Sequence, residues 1–148
     1  MQTKPEYERL DEYDELAKKI IDVHGESFSG IELDRVRAFV ITNKDRKEKN
    51  PKLFEIKAVP DPISMDVQYS HYIVIHQSDW DIMDHKHRLL LIAQTLCAIA
   101  INDDGDMIPK VNAFDMKDFS IMLRTFGTDY LTKDDVPDLL QDAIKWAE

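Results

Sequence analysis

DHKHRLLLIAQTLCAIAI, residues Asp84 to Ile101, is the stretch on which the fold turns. From Leu89 onward it is apolar on nearly every side of a helix, with only Gln94 and Thr95 interrupting, so it reads as a helix enclosed by other elements. Asp84 supplies a capping carboxylate just ahead of it. An apolar run of about a dozen residues falls short of the roughly 20 that a bilayer requires. The prediction is a central buried helix over 84–101 and not a membrane span.

Working outward, three segments on the N-terminal side alternate as strands do: RVRAFVIT from Arg35, LFEIKAV from Leu53, and HYIVIH from His71 to His76. Pro60-Asp61-Pro62 marks the turn after the second. Ahead of them, Pro5 to His24 carries Tyr13, Leu16, Ala17, Ile20 and Ile21 near helical spacing, with Gly25 as a stop. On the C-terminal side NDDGDMIPK is a polar turn, and Phe114 to Phe126 places Phe119, Met122, Leu123 and Phe126 on one helical face. A last helix is expected from Thr132 to Asp135 onward, with Val136, Leu139, Leu140, Ala143 and Ile144 as its stripe and Pro137 in its first turn. This order lacks regular βαβ alternation. It predicts one α+β domain over 1–148, with a short three-stranded sheet and about four helices.

The composition is that of a globular chain: 148 residues, 43% hydrophobic and 32% charged, suffice for a real core. The single cysteine, Cys97, has no partner for an intramolecular disulfide and lies in the apolar run, so it reads as a small buried hydrophobe in a reducing compartment. The N-terminal residues lack the uninterrupted apolar stretch of a signal peptide, and a cytoplasmic location is expected. A net charge of −10 argues against holding nucleic acid through its phosphates. Residues Arg35 to Lys57 nevertheless contain eight Lys or Arg against three Asp or Glu; a solvated basic loop is the simpler reading there.

The strand HYIVIH, the run WDIMDHKHRLLLIAQTLCAIA, the DDGD turn and FDMKDFSIMLRTFG follow one another in an order that resembles the phage metallopeptidases, a small zincin-like family of bacteriophages and prophages. The resemblance covers most of the chain. It implies a zincin-like minimal domain in which a strand leads through a Trp-containing turn to a helix bearing H-E-x-x-H, followed by a His-Asp pair. Histidines four apart on a helix face one way and bind Zn²⁺, while the Glu acts as general base toward the metal-bound water. Laid on this sequence, the motif falls at Gln94-Thr95-Leu96-Cys97-Ala98 and the later pair at Phe114-Asp115. Both helix histidines, the glutamate and the later histidine are replaced, whereas Trp80, Asp115, Phe119, Arg124 and Gly127 still match. The resemblance therefore implies a scaffold without metal, cofactor or catalytic residue, with Gln94, Thr95, Ala98, Phe114 and Asp115 as vestigial positions. Thr95 has a plain structural use, returning its hydroxyl to a carbonyl one turn earlier.

Other candidates are weaker. His85 and His87, two apart, project to different helix faces. His71 and His76 lie at opposite ends of one strand with odd separation and are expected to be surface or strand-end residues. Asp103-Asp104-Gly105-Asp106 lacks the length and distal Glu of an EF-hand. Cys97 has no cation or helix N-terminus beside it to favour a thiolate.

Small size, a disabled enzyme scaffold and an acidic body point to a non-catalytic phage or prophage accessory protein that binds and inhibits a host protein with a basic surface. A defence nuclease is one such target, bound as anti-CRISPR proteins bind theirs, by covering its channel or by mimicking DNA charge. No direct nucleic-acid or membrane contact is expected. The candidate contact residues are Glu8, Asp11, Glu12 and Glu15, with Asp103, Asp104 and Asp106. Two alternatives are a zinc peptidase with relocated ligands drawn from His71, His76, His85 and Asp115, and an oligomer subunit using apolar residues such as Trp146.

Overall fold

The computed structural model describes residues 6–42, 54–112, 119–127 and 129–147. It is α+β. Strands β1 (Glu6–Arg9), β2 (Val36–Thr42), β3 (Phe54–Ala58) and β4 (His71–His76) form one sheet in the order β1-β2-β4-β3. β2 and β4 run parallel, with Val36 opposite His71 and Val40 opposite Ile75, while β1 and β3 flank them antiparallel. Helices α1 (Asp11–Val23), α2 (Gln77–Ile82), α3 (His85–Cys97) and α4 (Ser120–Phe126) accompany it, and β5 (Ile99–Ile101) pairs with β6 (Met107–Val111) as a separate hairpin.

Strict alternation along β2 and β4 sends Val36, Ala38, Val40, Ile73 and Ile75 to one face, where all are buried in a single core with α1 and α3. α1 contributes Tyr13, Leu16, Ala17 and Ile20 from its apolar stripe. Its first turn holds Asp11, Glu12 and Asp14, where negative charge is favoured by the helix dipole. α3 is the buried central helix: eight successive residues from Leu89 to Leu96 are buried. Asp84 caps it as expected, its Oδ1 accepting from the His87 amide at 2.9 Å. None of the described helices is long and apolar enough to cross a membrane.

Several boundaries differ from expectation, each for a local reason. The segment before Asp11 is the edge strand β1, which places Tyr7 opposite Ile41 and Arg9 opposite Phe39, and Leu10 N–H continues the pairing by donating to Ala38 O at 3.0 Å. Among the described residues the sheet thus has four strands, not three. The apolar run after Cys97 leaves the helix at Ala98 because Ile99–Ile101 pairs with β6. α4 begins at Ser120, with Phe119 extended ahead of it, so the anticipated Phe114–Phe126 helix starts later there; residues 114–118 lie outside the described residues. In place of a last helix there is a short 3-10 turn, Tyr130–Thr132, followed by irregular chain. Asp138 directs that chain into a turn: its Oδ1 accepts from Leu140 N–H at 2.8 Å, and its own N–H donates to Asp142 Oδ2 at 2.8 Å. Val136 and Leu139 are still buried, as their stripe required.

Candidate functional site

The positions that would carry metal chemistry lie in the last turn of α3 and are occupied by core-building residues. Thr95 is fully buried. Its hydroxyl donates to Ile92 O at 2.6 Å, the return to an earlier carbonyl that its type suggested. With that proton committed, Thr95 Oγ1 accepts from the Tyr13 hydroxyl at 2.8 Å, so the residue at the general-base position ties α3 to α1. Burial, the largest influence, raises the Tyr13 phenol far above its ordinary range despite the opposing bond to Thr95. Gln94 is buried at 7% exposure, and Ala98, at 1%, caps the helix with a methyl side chain. An amide, an engaged hydroxyl and a methyl do not match the imidazole, thiolate and carboxylate donors that hold Zn²⁺. Phe114 and Asp115 lie outside the described residues.

The histidines do not converge. His71 is not at the surface but fully buried, because it shares strand parity with Ile73 and Ile75. Its Nε2–H donates to Lys110 O at 2.9 Å and its Nδ1 accepts from Ser70 Oγ at 2.8 Å, so both nitrogens are used. Burial lowers its pKa, more strongly than the Lys110 bond raises it. His76 points to the opposite face. His85 reaches Asp138 at 3.8 Å. His87 is directed elsewhere, with Nδ1–H to Asp84 Oδ1 at 2.6 Å and Nε2–H to the Lys133 carbonyl. Burial works against its charged form, but the Asp84 and Lys133 acceptors outweigh it and raise the pKa. Among the described residues no three His, Cys, Asp or Glu side chains are grouped so as to hold a metal ion.

The acidic candidates are exposed but not pooled. Asp11, Glu12 and Glu15 lie on α1, whereas Glu8 is on β1. Glu12 already accepts from Arg88 Nη1 at 3.2 Å. Asp103, Asp104 and Asp106 stand on the β5–β6 turn, shaped by Asn102, whose Oδ1 accepts from the amides of Asp104 and Asp106. This turn packs against Gly30, in the connection leaving the end of α1 remote from Asp11.

Two features escaped the sequence reading. At the end of α3, Leu96, Cys97 and Ile99 open on an apolar groove of about 250 Å³ that Phe28, Phe119 and Trp146 also line, so Cys97 is half-buried rather than enclosed. Trp146 packs within its own chain, edge-on to Phe28 and Phe126, and its Nε1–H donates to His24 Nδ1 at 3.1 Å. His24 Nε2–H in turn donates to Leu139 O at 2.6 Å, fastening the C-terminal segment to the end of α1. The second feature is the outer face of the sheet, where Arg37, Phe39, Ile41, Tyr72, Val74 and His76 are only half-buried. The alternation in RVRAFVIT and HYIVIH was the signal for it. Only its inward half was read.

A family model described as "Putative phage metallopeptidase" matches residues 5–144 of the chain. No curated protein and no solved structure matches it.

Proposed function

The chain belongs to the phage metallopeptidase family, and from that membership we propose that it is a non-catalytic member, a phage or prophage accessory protein that binds a host protein and inhibits it. The observation that carries this reading is the fate of the general-base position. Thr95 there is fully buried and bonded to Tyr13 and Ile92, so it has neither the proton affinity nor the access to water that the step requires. The flanking Gln94 and Ala98 offer no zinc ligand of the usual kinds.

The binding half of the proposal rests on charge. Asp11 and Glu15 on α1 and Asp103, Asp104 and Asp106 on the β5–β6 turn are exposed carboxylates on a chain of net charge −10. They suit a target with a basic surface, such as the nucleic-acid channel of a defence nuclease, and attract it over distances of about a Debye length.

Zinc content and peptidase activity of the purified protein test the first half. The expected outcome is no stoichiometric zinc after dialysis and no chelator-sensitive cleavage. Tightly held zinc with such cleavage would instead support a peptidase with ligands relocated from the last turn of α3. For the second half, a host defence nuclease is titrated with the protein while its DNA cleavage is followed. Inhibition should fade as salt rises and should be lost in Asp11→Lys/Glu15→Lys; inhibition indifferent to both would remove the electrostatic basis.

A further inference from the structure

The outer face of the four-stranded sheet departs from the charge of the rest of the chain. Strand register sets Arg37, Tyr72 and Lys57 in one row across it. The next row holds Arg9, Phe39 and Glu55, and Tyr7 lies beyond, 60% exposed at the edge strand. Among the described residues of these rows three cations thus face outward against one carboxylate, on a chain of net charge −10. Arg9 also reaches Asp11 at 3.6 Å, but both side chains are more than half exposed, and such pairs are weak.

The rings on this face lie close together. Phe39 stacks on Tyr72 with centroids 6.0 Å apart and planes 29° from parallel, and Tyr69 lies 6.0 Å from Tyr72. The Arg37 guanidinium sits 4.4 Å over the Tyr69 ring. Its Nη1 is buried without a hydrogen-bond acceptor among the described residues, and an unmet buried donor costs stability. Beside these rings, Tyr7, Tyr72 and Lys57 border an open groove of about 200 Å³.

From this arrangement we infer that the outer sheet face binds single-stranded nucleic acid, with bases stacked on Tyr7, Phe39 and Tyr72 and phosphates held by Arg9, Arg37 and Lys57. Aromatic rings interleaved with cations on an open sheet recognise unpaired bases, whose faces a duplex hides. An acidic peptide would meet the cations but leave the rings unused, and a peptide adding as a strand would take the sheet edges instead. The net charge averages over this face and conceals it. The inference stands apart from the inhibitory function proposed above, since α1 packs against the inner face of the sheet and only Asp11, at its start, reaches the outer face through Arg9.

The test is fluorescence anisotropy of labelled oligothymidine and oligouridine of about 15 nucleotides, titrated with the full chain at low salt. Saturable binding to either, weakening as salt rises, is the expected result, and the stronger of the two identifies the nucleic acid. Tyr7→Ala and Lys57→Glu alter exposed side chains and should each weaken binding about tenfold with unchanged circular dichroism. No saturable binding at low salt, equal affinity in the double variant, or equal affinity for a duplex of the same length overturns the proposal. Competition by polyglutamate at equal charge that fully displaces the oligonucleotide would reassign the face to an acidic protein.

Discussion

The two faces of the main sheet are written by the same alternation, Val-Arg-Ala-Phe-Val-Ile in β2 and His-Tyr-Ile-Val-Ile-His in β4, and they end in opposite states. On the inner face Ile73 and Ile75 have no solvent exposure, and the polar intruder His71 has both ring nitrogens bonded. On the outer face rings and cations are half in water, and Arg37 keeps a buried N–H without an acceptor among the described residues. A face that satisfies itself contributes stability. One that leaves rings and cations half in water has surface to offer a ligand, and the recognition proposed for it lies away from the last turn of α3.

The sharpest way to break this contrast is to substitute both sides. Leu91→Ala, at a site with no exposure in the middle of α3, should lower unfolding free energy by about 3 kcal/mol through lost transfer energy and the cavity left behind, measured by urea denaturation. Next in size, Thr95→Val removes the acceptor of the buried Tyr13 hydroxyl and should cost about 2 kcal/mol. Adding Tyr13→Phe should recover most of that loss, so a double-mutant cycle reports positive coupling; additive effects would mean that the bond contributes nothing.

Smaller effects should appear with pH, and with opposite signs. Burial lowers the pKa of His71 from the ordinary 6.5. The folded state therefore resists a proton that the unfolded chain accepts, and the associated stability is full above pH 6.5 and lost as pH falls below it. His87 is raised in the fold by its Asp84 and Lys133 acceptors despite partial burial. Its contribution is full below pH 6.5 and lost as pH rises through the higher folded value. Melting temperature against pH should accordingly lose its acid-side decline in His71→Gln and lose part of its acid-side support in His87→Gln. The smallest effect belongs to the outer face: Lys57→Glu should move stability by no more than about 0.5 kcal/mol, and a larger loss by urea denaturation would show that this face, too, is part of the packing.

Much of this was legible in the chain because α1, β2, β3 and β4 each carry a clear period and α3 is an apolar run of helical length. β1 was not, since Glu6 to Arg9 is too short and too charged to declare a period before the helical stripe begins at Tyr13. β5 was hidden because Ile99–Ile101 extends the apolar run of α3 without a break. The anticipated last helix failed differently: its apolar residues do reach the core, but the side-chain bonds of Asp138 and the grip of His24 on Leu139 outcompete helical hydrogen bonds. The return of the Thr95 hydroxyl to an earlier carbonyl was readable from its type, whereas Tyr13 as its partner, 82 residues away in the chain, was not. His71 does stand at a strand end, as expected, but it is buried and not at the surface, as its parity with Ile73 and Ile75 requires.

The parallel pairing of β2 with β4 carries a further consequence, for the route by which the chain finds its fold. Val36 meets His71 across the centre of the sheet, and Tyr13 meets Thr95 across the core, while β3 meets β4 through the much nearer pair of Ala58 and His71. Closing distant contacts spends loop entropy before any burial rewards it, and such topologies fold slowly. The β3–β4 pair and the β5–β6 hairpin are the local pieces that can assemble early. The seating of β2, with β1 and α1 following it, then becomes the slow step, and refolding followed by stopped flow should be retarded more by Val40→Ala in β2 than by Met107→Ala in β6.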